Sequence, residues 1–312
     1  MTTGAVHTRV PSLWFEDGTL VVKAQTSLFK VHRSLLSARS SVFRDMLAFP
    51  QHGVGETLDD CPLVELPDGG AAVEHLLRAI YDSAYFMPHP EKIELAELLD
   101  ILLLAHKYDV KYLFIQALKH LDAVFYFPSY TSYQESRHKL LVDGDVWDSE
   151  FAFNVAPLAA VHAALVTVDA RWLLPLVRYK LSTAFVASIA ETPELDVGLI
   201  RQLLLWRQEL DLYRVMVIAP ISDPEWTNWN GDEECDGSPG CSEARRRVIH
   251  THIKYEGIRV LDWTPKALRG LCAACRALCE QGVDAAWHDL PVIFKVGSWG
   301  SLNVMRAEML EL

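Results

Sequence analysis

Within the stretch "FKVHRSLLSARSSVFRDML", residues 29 to 47, the apolar spacing changes from two to about 3.6, and that switch most restricts what the chain can fold into. Upstream, Leu20, Val22 and Ala24 alternate with Val21 and Lys23, and Phe29 and Val31 alternate with Leu28 and Lys30. Two strands follow from this, with a turn around Gln25 to Ser27. Asp17-Gly18 sits between apolar stretches, where it reads as a two-residue hairpin turn flanked by strands of a small antiparallel sheet. Downstream, Leu35, Leu36, Val42, Phe43, Met46 and Leu47 recur at helical spacing and predict two short helices. Ser40 and Ser41 lie between them as caps, whereas Ser34 and Ser37 read as solvated or locally bonded. No nucleophile or orienting acid accompanies His32 in the pattern, so it reads as a buried structural imidazole with one backbone partner.

A chain of 312 residues, 50% hydrophobic and 22% charged, is long enough for one large or two ordinary domains and too apolar to be disordered. The net charge of -12 argues against nucleic acid as the main partner, because a phosphate backbone needs a basic face. The first residues lack the basic flank and apolar run of a signal peptide. "VAPLAAVHAALVTV" is too short and interrupted to span a bilayer. The expectation is a protein of the cytoplasm or nucleus, off the membrane, with its six cysteines present as thiols or metal ligands.

Further along, "IELAELLDILLLAHKYDVKYLFIQALKHL" carries one stripe at Leu95, Leu98, Leu99, Leu102 and Ala105, and a second at Leu113, Ala117, Leu118 and Leu121, with Asp109 as a cap between them. This predicts a helical hairpin packed on the two short helices and one face of the sheet. Together with "CPLVELPDGGAAVEHLLRAIYDSAY", these segments resemble the BTB/POZ domain: an aromatic, a histidine shortly after, an "xxLL" helix, then "SxxF" opening the next. The resemblance covers residues 12 to 127. It implies an α+β fold, an antiparallel-rich sheet with helical hairpins, and the task of binding other proteins rather than catalysis, often as a substrate adaptor for a cullin-type ubiquitin ligase. Val54 and Glu56, in "VGE", match a hydrophobic-x-Glu motif sometimes linked to cullin binding in that family. Only about a dozen residues precede Trp14, so the family's strand-swapped dimer is not expected, although self-association remains open.

Residues 128 to 150 read as a polar linker, with Asp143-Gly144-Asp145 a turn that lacks the further ligands of a calcium loop. From 151 to 312 helices dominate, with Pro157 and Pro175 at first turns and Leu199, Leu203, Trp206 and Leu210 on one face. "LLPLVRYKLS" and "LCAACRALCEQGVDAAWHDLPVIFKVGSW" are similar to the C-terminal region of BTB proteins expanded in mushroom-forming fungi.

Cys272 and Cys275 form a C-x-x-C at a helix start, and "EECDGSPGCSEARRR" supplies Cys235 and Cys241 from a Gly/Pro loop entering a basic helix. Two such pairs can turn four sulfurs towards one structural zinc, although the C-x5-C spacing is wide and free thiols in a helix core are the competing reading. Cys279 is expected as a buried thiol or spare ligand, and His250 and His252 as weaker candidates within a helix. The usual phosphate-loop, hydrolase and metalloprotease motifs are absent, and no catalytic residues are assigned. The function expected is an adaptor or scaffold. A transcription-associated regulator recruited to nucleic acid through "RRRVIHTHIK" is the alternative.

Overall fold

The computed structural model describes residues 7–48, 56–142, 155–193, 195–222, 235, 238–254, 260–261 and 268–311, with backbone alone at 137–142, 220 and 251–254. The chain divides into two compact units, Met1–Val124 with Glu308–Leu312, and Phe125–Ala307.

The first unit has five strands among the described residues: β1 (Thr8–Trp14), β2 (Leu20–Ala24), β3 (Ser27–Val31), β4 (Thr57–Leu58) and β5 (Cys61–Leu66), in the sheet order β1-β3-β2-β5-β4. The sheet is mixed. β2 pairs antiparallel with β3 and β4 with β5, whereas β1 runs parallel to β3 and β2 parallel to β5. The hairpin predicted around Gln25 joins β2 to β3, with Gln25 at φ 52°. The Asp17-Gly18 turn does not close a second hairpin, because β3 lies between β1 and β2. Phe15 and Thr19 instead donate their N–H groups to Lys30 and Val31 of β3, at 2.9 Å each. Gly18 lies so close to β3 that a Cβ there would meet Lys30 Cγ at 2.7 Å, so the glycine serves close approach.

β2 is buried almost throughout. Its central position covers both faces, so Val21 joins Leu28 and Cys61 in a cluster flanked by Trp14, Leu58 and Leu63. Among the described residues the unit also has five helices: α1 (Arg33–Arg39), α2 (Ser41–Ala48), α3 (Gly70–Tyr81), α4 (Leu95–Lys107) and α5 (Lys111–Phe125). Leu98, Leu102 and Ala105 of α4 and Leu113, Ala117, Leu118 and Leu121 of α5 are buried, as their spacing predicts. Phe43 stacks on Tyr108 at the end of α4, ring centroids 4.6 Å apart.

Ser40 caps α2: its Oγ accepts from the Phe43 N–H at 2.9 Å and donates to the Tyr108 carbonyl. Ser41 is not a cap, since its hydroxyl donates to Asp109, and Asp109 occupies a left-handed turn at φ 52° between α4 and α5. His32 also differs from expectation. It is half-buried between the Asp17 carboxylate, 3.2 Å from Nε2, and the Tyr81 hydroxyl, 3.2 Å from Nδ1.

The second unit is mainly helical. Tyr130–Val142, expected within a linker, forms α6, because Phe127 and Tyr133 supply aromatic anchors that a polar composition conceals. There follow α7 (Val155–Thr167), α8 (Leu174–Ser182), α9 (Val186–Ala190), α10 (Val197–Ser222), α11 (Pro239–Lys254), α12 (Ala273–Ile293) and α13 (Trp299–Leu310). Pro157 and Pro175 fall in the first turns of α7 and α8. α10 packs along α12, burying Leu203, Trp206, Leu210 and Val217. Tyr133, Trp287 and Trp299 form a stack, and the Trp299 indole N–H donates to the Trp287 carbonyl at 3.1 Å. No described helix is long and apolar enough to cross a membrane.

Candidate functional site

In the second unit, two helix starts bring four sulfurs together. Ser238 precedes α11 and its Oγ accepts from the Cys241 N–H at 3.2 Å, which fixes Cys241 in the first turn. Cys272 is the N-cap of α12; its Sγ accepts from the Cys275 N–H at 3.5 Å, so a C-x-x-C at a helix start becomes N-cap and first turn. Cys235 lies before α11.

The sulfurs of Cys235, Cys241, Cys272 and Cys275 all lie within 4.8 Å of one another. Cys235 Sγ is 3.8 Å from Cys241 Sγ and 3.9 Å from Cys272 Sγ. Four thiolates placed tetrahedrally about 2.3 Å from a zinc ion are separated by about 3.8 Å, which the two Cys235 spacings match, and all four sulfurs lie within 4.8 Å of one another. The Cys272 N–H donates to Cys241 Sγ at 3.3 Å, and Arg245 Nη1 lies 3.7 Å from Cys235 Sγ. Cys241 and Cys275 are buried, while Cys235 and Cys272 are half-buried. Burial pushes the Cys241 and Cys275 thiols above their ordinary range, so proton release there needs a cation to compensate the charge. All four candidate ligands are brought together. Four cysteine ligands would leave no position for water or substrate, the pattern of a structural centre.

The other candidates fall outside the cluster. Cys279, a turn beyond Cys275, is fully buried, and burial pushes its thiol up to about 12. It lines a cavity of about 80 Å³ with Tyr130, Leu268, Arg276 and Val283, far below the size that takes an organic ligand. His250 is exposed, and the His252 side chain, Val54 and Asp143-Gly144-Asp145 lie outside the described residues. Glu56 is exposed, and its carbonyl accepts from the Leu63 N–H at 2.9 Å. Arg245 was not legible as a sulfur partner. Its place four residues after Cys241, one turn along the same helix face, is the signal that could have shown it.

The first unit has an α+β fold. Residues 13–124 match the family model of the BTB/POZ domain, and this part of the chain is a BTB/POZ domain. Such domains are typically protein-interaction modules rather than enzymes. No curated protein and no solved structure gives a significant match.

Proposed function

We propose that the protein is a non-enzymatic interaction adaptor whose BTB/POZ domain binds other proteins, a cullin-type scaffold among them, and whose helical unit is held by one structural zinc at Cys235, Cys241, Cys272 and Cys275. The observation that carries the adaptor reading is the BTB/POZ match over residues 13–124, on a fold with the layering that family implies. Geometry supports the zinc, through sulfur spacings of 3.8 and 3.9 Å. The nucleic-acid alternative finds little support in α11: Arg245 faces Cys235, Arg246 pairs with Glu243 at 2.8 Å and Arg247 donates to the Arg269 carbonyl.

The test is affinity purification of the intact protein from its own cells, followed by mass spectrometry, beside a chain lacking residues 13–124. Partners lost with that deletion support the adaptor role, and retention of every partner contradicts it. Calorimetric titration with a purified cullin N-terminal region decides the narrower claim; absence of binding up to about 100 μM would remove the cullin from the account.

A further inference from the structure

The surroundings of the four sulfurs are arranged for net negative charge. Zinc in a four-thiolate shell carries a formal charge of about -2, which a buried site must compensate. Two helices of 16 and 21 residues, α11 and α12, begin at the cluster, so the positive ends of two helix dipoles lie at the sulfurs. Two backbone N–H groups donate to sulfur, Cys272 to Cys241 and Cys275 to Cys272. Arg245 sets a formal positive charge against one of these sulfurs, that of Cys235.

Three consecutive arginines open the body of α11, and they do different things. Arg246 is exposed and paired with Glu243, and Arg247 reaches the Arg269 carbonyl. Arg245 is half-buried, its Nη1 set on Cys235 and its Nε buried without a hydrogen-bond partner. Burying a guanidinium with an unmet donor is costly unless an anion lies beside it. Neutral thiols would leave that cost uncompensated. A metal-bound thiolate shell offsets it.

We infer that Arg245 is the charge-compensating residue of this centre, a positioning residue that acts through Cys235 and sets how tightly the cluster holds a divalent, thiolate-preferring cation. The inference rests on the zinc reading. Outer-shell partners of metal ligands typically alter affinity by about 10- to 100-fold, which sets the scale of the effect. Arginine is permanently charged, so the compensation persists throughout the physiological pH range.

The experiment uses the full chain and zinc itself, competed against a chromophoric chelator. Arg245→Gln should weaken zinc binding by about 10- to 100-fold while the stoichiometry at saturation stays at one. Arg245→Lys keeps the charge and should stay within about threefold of the unmodified protein, and Arg246→Gln should change nothing. Far-ultraviolet circular dichroism of each metal-loaded variant shows that it is folded. If Arg245→Gln does not fold, the lysine variant decides: near-normal affinity supports charge compensation, and a loss as large as about tenfold in a folded protein overturns it. Normal affinity in a folded Arg245→Gln protein would equally overturn the assignment, leaving Arg245 a packing residue. Failure of the metal reading looks different, because the unmodified protein would then take up no zinc at all.

Discussion

At Phe43 the ring is 1% exposed and stacked on Tyr108, which in turn donates its hydroxyl to Asp68. Truncation to alanine removes both the buried area and the stack. Phe43→Ala should therefore cost the first unit about 3 to 5 kcal/mol, seen as a lowered denaturation midpoint; an unchanged midpoint would contradict the packing. His162 gives a pH-dependent effect. Its Nε2 accepts from Arg178 Nε at 3.2 Å, which requires a neutral imidazole, and burial first, then Arg178, push its pKa from 6.5 down to about 4. Above pH 6.5 the folded and unfolded chains both hold it neutral. As pH falls from 6.5 towards 4 the unfolded chain takes up a proton that the folded one refuses, so stability should decline by about 3 kcal/mol across that window. His162→Gln should flatten this slope in chemical denaturation between pH 7 and pH 4.5; an unaltered slope would assign it to other groups. Phe43 was legible because helical spacing reports burial directly. The partners of His32 and Ser41 were not, since Tyr81 and Asp109 lie 49 and 68 residues away and only the folded chain brings them near.

Helices α10 and α12 show what periodicity can and cannot report at the scale of elements. The stripe through Leu203, Trp206 and Leu210 was visible as an amphipathic face, but the surface receiving it was not. Gly282 lies in close contact with α10: a Cβ there would stand 2.9 Å from Val217 Cγ2 and 3.3 Å from Val217 Cα. A β-branched valine cannot rotate away freely, so overpacking outweighs the helix propensity that alanine would add. Gly282→Ala should destabilise the second unit by about 1 to 2 kcal/mol, and Val217→Ala in the same chain should recover part of that loss. Additive effects in this double-mutant cycle would show that the two residues do not meet. The parallel pairing of β1 with β3 was hidden for a related reason: a turn motif states that the chain reverses, not which strand it will lie beside. α6 was hidden by composition, because its polar residues outnumber the buried Tyr133 that fastens it.

Each of the two compact units should unfold as a unit of its own. A fragment of residues 8–127 contains β1 to β5 and α1 to α5, and it is predicted to unfold cooperatively on its own; a fragment without a transition would contradict the division. On the zinc reading proposed above, Cys272→Ser should lower the melting temperature of the second unit and leave that of the first unchanged, because a metal's binding energy would be folding energy only for the helices it joins. The account as a whole turns on whether Cys235, Cys241, Cys272 and Cys275 are metal ligands or an ordinary cluster of thiols. Elemental analysis combined with native mass spectrometry of the full chain, purified without chelator, tests this most directly. The account predicts about one zinc per chain, lost in Cys272→Ser, with the four thiols protected from alkylation until a chelator is added. A folded, metal-free protein whose four thiols react at once would contradict it.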